Sequence, residues 1–309
     1  MIKEFNNELQ AKAIADSLGL LITKYKGVYI VSNSKEEILA NYNLGYFQKE
    51  GVFYDKEIFE ENDAGFISVK DRDIIDASSV ELPYRIRNCS YMFLLCGSLE
   101  TPPKIPKGIE SCVSMFCRCF SLKETPVIPE GVENCISMFA ECTSLKKAPI
   151  IPEGVQNCSY MFAECTSLEI PPVIPEGVKD CSGMFSKCTS LKEAPIIPEG
   201  VSNCSHMFKG CASLETPPII PEGVKNCDSM FYNCTSLEIP PIIPESVKDC
   251  HSMFWGCSSL EISPIVPDGV QSCHFMLSGC TSLKKRPRFP ENCDTTGALW
   301  NTPFVEVKL

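Results

Sequence analysis

Residues 138–158 read MFAECTSLKKAPIIPEGVQNC, and this stretch sets the pattern for most of the chain. It holds a Met-Phe pair, two cysteines and two prolines, and the same arrangement returns every 23 residues without an insertion or deletion. The repeating unit is C-x-x-M-F-x-x-C-x-S-L-x-x-x-P-x-[IVF]-P-x-G-[VI]-x-x. The first cysteine column comprises Cys89, Cys112, Cys135, Cys158, Cys181, Cys204, Cys227, Cys250 and Cys273. The second comprises Cys96, Cys119, Cys142, Cys165, Cys188, Cys211, Cys234, Cys257 and Cys280.

A period in the low twenties is typical of leucine-rich repeats, in which each unit forms one coil of a solenoid. A single 23-residue coil cannot bury its apolar face, but stacked coils share a core. We therefore expect Leu, Ile, Val, Met, Phe and Cys to form parallel ladders that point inward. At the strand spacing of ~4.8 Å, nine coils would make a body roughly 40 Å long.

The segments F-x-x-C-x-S-L and I-P-x-G-V resemble the BspA-like leucine-rich repeats. The fuller form C-T-S-L-x-x-A-P-x-I-P resembles a proline-rich variant of these repeats that is found in bacterial surface proteins. The resemblance covers roughly residues 79–303. It implies a curved solenoid that binds other molecules, usually proteins. Many members of this family are exported, whereas this sequence shows no export signal.

The predicted fold class is α+β: a small N-terminal α+β domain over residues 1–78, followed by a leucine-rich-repeat solenoid over residues 79–309. The solenoid has nine repeats and a degenerate C-terminal coil. Two prolines in each coil remove two backbone donors, so a wide continuous sheet is not expected. The pattern predicts very short parallel strands around Leu-x-x-x-Pro-x-Ile, with irregular or 3₁₀-like return segments.

The N-terminal segment has no cysteine and no proline, and its pattern is unlike the repeats. Apolar spacing predicts a helix over residues 4–18, and a plausible N-cap predicts a second helix over 33–42. Residues 20–32 predict a β-hairpin that turns at Lys26-Gly27. Residues 51–60 and 65–75 add strands. We expect this domain to cover the open end of the solenoid, because exposed solenoid ends need caps.

At the C-terminal end, the phase of the repeat predicts a tenth, degenerate coil. Trp300 would then occupy the phenylalanine position and Leu299 the methionine position. Cys293 falls in the valine column and Cys117 is unique to its coil, so neither belongs to a cysteine ladder.

Composition excludes several functional classes. The net charge of -11 and a pI of about 4.9 argue against nucleic-acid phosphates or an anionic membrane as the main partner. The first residues mix charges of both signs without a long apolar run, which indicates neither a signal peptide nor a membrane span and predicts a cytoplasmic location. With no export signal, we interpret most of the 20 cysteines as reduced, buried, small apolar residues.

Catalysis and metal binding are weak alternatives. The Cys-x₆-Cys spacing lacks the short knuckle of zinc sites, and Cys-x-x-Cys does not occur in the sequence. Cys250-His251 and Cys273-His274 could indicate a cysteine nucleophile, but a nucleophile needs an exposed thiolate with a base beside it. Disulfides between coils and a zinc site built from stacked columns stay open as minor alternatives. We predict no enzyme activity, no metal and no cofactor, and surface positions for the three histidines.

Three outward columns invite functional interpretation. The acidic column follows Ile-Pro, and it is interpreted either as a solvated turn or as an acidic ridge for a basic partner: Glu130, Glu153, Glu176, Glu199, Glu222, Glu245, Asp268 and Glu291. The aliphatic stripe lies between the two prolines, bracketed by Lys104 and Arg288: Val127, Ile150, Val173, Ile196, Ile219, Ile242 and Ile265. The mixed-charge column flanks it: Lys123, Lys146, Glu169, Lys192, Glu215, Glu238 and Glu261. β-Branched residues also suit strands without any function.

We predict a non-catalytic protein-binding scaffold whose strand face carries the partner site, formed by the aliphatic stripe and by Lys146, Glu169, Lys192, Glu215 and Glu238. Near-identical repeats without an export signal suggest an origin in a bacterium or a phage, and a role as a mobile-element-encoded inhibitor of a host protein. The alternatives are a surface adhesin with a missing export signal, or a cysteine enzyme or metal-binding protein. Neither nucleic acid nor membrane is an expected partner.

Overall fold

A computed structural model describes residues 3–5, 21–25, 28–32, 46–49, 52–55, 58–61, 65–83 and 85–304. The chain divides into two compact units. The first comprises Met1–Phe59 and Pro83–Arg85, and the second comprises Glu60–Leu82 and Ile86–Leu309. The predicted domain boundary at residue 78, and the role of the first domain as a cap, stay predictions.

The described part of the N-terminal region consists of short strands. The strands are β1 (Lys3–Phe5), β2 (Leu21–Tyr25), β3 (Val28–Ser32), β4 (Tyr46–Lys49), β5 (Val52–Asp55), β6 (Phe59–Glu61) and β7 (Ile67–Val69). Strands β1 and β2 both pair with β3 in an antiparallel sheet of order β1-β3-β2, β4 pairs with β5, and β6 pairs with β7.

The predicted hairpin is confirmed, because β2 and β3 pair antiparallel with Tyr25 opposite Val28. Its turn residues lie outside the described part. Residues 4 and 5, predicted as helix, lie in β1, which corrects the start of that helix. Residues 6–18 and the second predicted helix at 33–42 lie outside the described residues, so the helical content of this domain stays a prediction.

The coils stack in parallel but carry no extended strands in the described part of the solenoid, which corrects the predicted strand around Leu-x-x-x-Pro-x-Ile. Single-residue bridges replace it, because the prolines interrupt the donors that a ladder needs. In that predicted segment, bridges join Lys147 to Ile170 and Glu193 to Thr216. The continuous row of bridges instead uses the residue before each first-column cysteine and ends at Asp294 of the last coil, which no cysteine follows: Asn88, Ser111, Asn134, Asn157, Asp180, Asn203, Asn226, Asp249, Ser272 and Asp294.

Between the two cysteines of a coil, successive backbone donors point in two directions. The Ser137 N–H donates to Ser159 O of the next coil at 2.9 Å, whereas the Met138 N–H donates back to Cys135 O at 3.1 Å. This alternation requires a left-handed backbone at two positions of each coil, as at Ser137 (φ 52°) and Glu141 (φ 61°). Every second amide therefore joins neighbouring coils, and the others close turns within one coil.

The bridge row explains why Asn or Asp so often precedes the first cysteine. The Asn157 Oδ1 accepts the Ser159 N–H at 2.9 Å, and the Asp180 Oδ1 accepts the Ser182 N–H at 2.8 Å. Such Asx turns start the bend that follows each bridge. The sequence pattern alone did not reveal this role.

The core consists of the predicted ladders, which are buried throughout. Consecutive phenylalanine rings stack with centroids 5.5–5.9 Å apart and interplanar angles of 5–20°. The rings belong to Phe93, Phe116, Phe139, Phe162, Phe185, Phe208, Phe231 and Phe254. Second-column thiols also bond across coils: the Cys211 Sγ–H donates to Phe185 O at 3.0 Å, and the same bond recurs with Phe carbonyls from Phe93 to Phe254.

The last coil is one residue shorter than predicted. The Asp294 N–H donates to Gln271 O, as expected for the residue that follows the valine column. Asp294 also forms the bridge with Ser272, which in the other coils belongs to the next residue. Leu299 therefore falls in the phenylalanine column, and Trp300 lies one position beyond it with 58% of its surface exposed. The predicted placement of Trp300 and Leu299 is wrong, because a fixed 23-residue period cannot show a single deletion.

We predict that Phe185→Ala lowers the free energy of unfolding by about 3–5 kcal/mol, because it removes a ring that stacks on both sides. Ile196→Ala in the same coil is the matched control and should change it by no more than about 0.5 kcal/mol, since Ile196 is exposed. Chemical denaturation measures both. Equal losses in the two variants would contradict the assignment of the phenylalanine ladder to the core.

Candidate functional site

The aliphatic stripe is the most exposed apolar feature of the described coils. Its seven side chains are each 86–89% exposed, although buried residues precede and follow them in the chain. Ile196, for example, lies between buried Pro195 and buried Ile197. The two prolines and the inward aliphatic hold the backbone against the core, so the residue between them can only point to solvent. The predicted outward orientation is confirmed, whereas a binding role stays a prediction.

Charged columns line the stripe on both sides. All eight residues of the acidic column are exposed, and none of them forms an ion pair with another described residue. In the mixed-charge column, the Lys123 Nζ lies 2.8 Å from a Glu100 carboxylate oxygen, and Glu261 pairs with Lys284. The predicted residues Lys146, Glu169, Lys192, Glu215 and Glu238 are all exposed beside the stripe.

The stripe ends in a groove of about 710 Å³ between the last two complete coils. Ile262 and Ile265 contribute apolar surface on one side. The other side belongs to the segment Lys284–Pro290, which includes Lys285 and Arg288. The face therefore changes from aliphatic to cationic at this end.

The cysteines of the two ladders lack the features of reactive thiols. All 20 cysteines are free, and the 18 ladder cysteines are buried, as predicted. Burial raises the pKa of six ladder thiols to about 12: Cys112, Cys158, Cys165, Cys204, Cys211 and Cys280. A nucleophilic cysteine needs a lowered pKa and access to solvent, and the ladder thiols have neither.

A polar cluster in the segment between the two cysteines of each coil was not predicted. The chain's three histidines, assigned to the surface from the sequence, are half-buried, and together with Asp228 they occupy four successive coils. The His251 Nδ1 lies 3.0 Å from Asp228 Oδ1, and the His206 Nε2 lies 3.6 Å from Asp228 Oδ2. The His251 and His274 rings are 5.2 Å apart. The signal was the spacing: Asp228, His251 and His274 are each 23 residues apart.

Burial lowers the pKa of His206, and its Nδ1 is buried without a hydrogen-bond partner. In the part of the chain that the structure describes, no group of three or more His, Cys, Asp or Glu side chains has the geometry to hold a metal ion. The described residues also contain no helix that is both long and apolar enough to cross a bilayer.

An aromatic column accompanies the histidines. The Tyr232 and Trp255 rings stack with centroids 4.4 Å apart, and the Lys209 Nζ lies 4.8 Å from the centroid of the Tyr232 ring. Trp300 packs edge-on against Phe275 at 5.1 Å. These contacts occupy ring faces within the chain, so this segment offers less free apolar surface than the aliphatic stripe.

The sequence matches the family model of the BspA-type leucine-rich repeat region in six copies, over residues 73–169, 113–238 and 182–298. The chain belongs to the BspA-type leucine-rich repeat family. The resemblance seen in the repeat unit is thereby confirmed, and with it the solenoid class of the repeats. The family is a repeat scaffold that is typically not enzymatic.

Solved structures of bacterial leucine-rich repeat proteins are similar to this BspA-type chain. A leucine-rich repeat protein from Bacteroides ovatus is 19% identical, with 89% of this chain and 88% of that chain covered and a TM-score of 0.45. A leucine-rich repeat protein from T. pallidum is 20% identical, with coverage of 77% and 98% and a TM-score of 0.43. A leucine-rich cell surface protein from Faecalibacterium prausnitzii is 18% identical, with coverage of 80% and 95% and a TM-score of 0.31. No curated protein matches the chain.

We predict that a water-soluble thiol reagent at neutral pH labels Cys117 and Cys293, which are half-buried, much faster than the ladder cysteines. Denaturant should expose all 20 thiols. Peptide mapping by mass spectrometry distinguishes the sites. Rapid native labelling of the ladders, or disulfides that persist in denaturant, would contradict the buried, reduced state.

Stability should fall at alkaline pH. A thiol whose pKa is raised by folding stabilises the protein fully below the unfolded pKa of about 8.5, and that contribution is lost as the pH rises toward the folded pKa. Between the unfolded and the folded pKa, each such thiol lowers the free energy of unfolding by about 1.4 kcal/mol per pH unit. The six thiols with a pKa of about 12 together lower it by about 8 kcal/mol per pH unit. Circular dichroism under reducing conditions should show cooperative unfolding between about pH 9 and 11. A folded chain at pH 11 would contradict this.

Proposed function

We propose that this BspA-type chain is a non-catalytic scaffold that binds another protein through its aliphatic stripe. The observation that carries the proposal is the row of seven aliphatic side chains that are 86–89% exposed on consecutive coils. Soluble monomers rarely expose apolar patches of more than a few hundred Å², and larger patches with polar rims mark interaction sites. The charged columns on either side supply such a rim.

Energetics support this use of the stripe. Burying one Val or Ile side chain contributes about 1.5–3 kcal/mol, so seven contribute on the order of 10–20 kcal/mol before costs. Association costs about 4–15 kcal/mol in lost freedom of motion. A partner that covers most of the stripe can therefore bind with useful affinity, whereas one that covers two or three residues cannot.

The cytoplasmic location and the inhibitory role are finer parts of the proposal. Free, buried thiols suit a reducing compartment, since secreted proteins with many cysteines usually form disulfides. An inhibitor would act by covering a functional surface of its partner. Adding the chain to the captured partner and measuring that partner's activity tests this role, and unchanged activity in the complex would remove it.

The central test is the double variant Ile196→Glu with Ile219→Glu. We predict that it stays folded, since both side chains are exposed, and that it no longer captures a protein from host lysate that the unmodified chain captures. Circular dichroism and denaturation confirm the fold of the variant.

The matched control is Thr189→Glu with Thr235→Glu. Both residues are exposed and directly follow a second-column cysteine in the sequence, and they add the same charge seven residues or more from the stripe. The control should capture the partner normally. Normal capture by the folded stripe variant would place the site elsewhere, and loss in both variants would indicate a general charge effect.

A further inference from the structure

The charge pattern beside the stripe restricts what can cover it. From Val127 to Ile265, every stripe residue is followed three positions later by an exposed carboxylate of the acidic column. The described residues supply no cation to these carboxylates. A partner that buries the stripe also removes water from this column, and unpaired carboxylates lose much of their solvation in such a place. A partner that carries cations along one edge offsets that loss.

A second copy of the chain does not fit this pattern. Two copies placed stripe to stripe with antiparallel stacks would bring their acidic columns face to face. With parallel stacks, each acidic column would meet the mixed-charge column of the other copy. Four of the seven residues in that column are glutamates, namely Glu169, Glu215, Glu238 and Glu261. Both arrangements place like charges together, which opposes association.

The spacing of the coils restricts the conformation of the partner. Coils repeat every 5.5–5.9 Å at the phenylalanine ladder, and parallel backbone segments stack at about 4.8 Å. One turn of an α-helix rises about 5.4 Å, which lies between the backbone spacing and the ring spacing. Residues on the same face of an extended strand repeat at roughly 6.7 Å. Over the six steps between seven stripe residues, a strand would drift by about 5–11 Å, whereas a helix would drift by at most about 4 Å, which is less than one coil.

We infer that the stripe binds a cationic amphipathic α-helix that lies along the stack of coils. This inference rests on the proposed function and names the partner class for the same face. The helix presents one apolar residue per turn to the stripe, with i, i+3 or i+4, and i+7 spacing, and Lys or Arg along the edge that faces the acidic column. About 25 residues of helix span the seven stripe residues.

Three synthetic 25-residue peptides test the inference by fluorescence anisotropy. All carry the same leucine row at helical spacing, flanked on one side by lysines, by glutamates, or by lysines with two prolines in the middle that break the helix. We expect the lysine helix to bind at least tenfold more tightly than either of the others in 50 mM salt. Its advantage over the glutamate helix should shrink in 500 mM salt, because surface charges are then screened.

Variants of the chain separate specific docking from general attraction to an acidic protein. Ile196→Glu with Ile219→Glu makes the chain more acidic, yet this variant should no longer bind the lysine helix. Glu176→Gln with Glu199→Gln should weaken binding of the lysine helix at least fivefold. The matched control is Glu141→Gln with Glu164→Gln, which removes two carboxylates paired with Arg118 and Lys187 elsewhere on the coil, and it should change binding less than twofold.

Several results would overturn the inference. In the peptide experiment, these are no binding by the lysine helix, or binding of the glutamate helix or the proline-containing peptide that equals it. In sedimentation experiments, the contradicting result is a dimer of the chain alone that Ile196→Glu with Ile219→Glu dissociates. The proposed function fails by a different result, namely capture of the lysate partner by that folded variant. If the peptides fail while the variant still loses capture, the face is a binding site for a partner of another class.

Discussion

The hydrogen bonds that join successive coils depend on one constraint, which is the constant number of residues from coil to coil. In the segment between the two cysteines, every second amide donates to the next coil and its neighbour closes a turn within its own coil. An extra residue would shift the donors, the phenylalanine rings and the thiols of that coil against both neighbours. The final coil shows the limit of this constraint. It is one residue short, and its tryptophan lies exposed beyond the ladder.

Much of the solenoid was predictable, because each column repeats the same environment many times. Nine buried cysteines in each column and eight buried phenylalanines indicate the core, and Pro-x-Ile-Pro fixes which aliphatic residue points outward. What the sequence does not show is backbone conformation. The backbone at Tyr160 and His206 is left-handed, a conformation that residues other than glycine usually avoid. Hydrogen bonds between coils hold it in place. For the same reason, bridges replace the predicted strands. The single deletion near Asp294 leaves no trace in a periodic pattern.

The candidate site was predictable in its position but not in its surroundings. Periodicity gave the exposed stripe and the columns beside it, since neighbouring columns on one segment must share a face. The cluster of histidines around Asp228 appears only when coils are stacked, because its members are far apart along the chain. Inside the stack, repetition serves packing: the second-column thiols fill space and donate to phenylalanine carbonyls. The outward columns are not bound by this packing, so they can vary without a cost to the core.

Each of the seven coils over residues 112–272 carries one ring of the ladder, one member of the stripe and one carboxylate beside it. An in-frame duplication of a single unit thus lengthens the core and the exposed face by the same step and leaves the bonds between existing coils unchanged. Gain or loss of whole units by recombination would therefore change the length of the exposed face in steps of one coil. Such a change would leave the packing of each remaining coil against its neighbours intact.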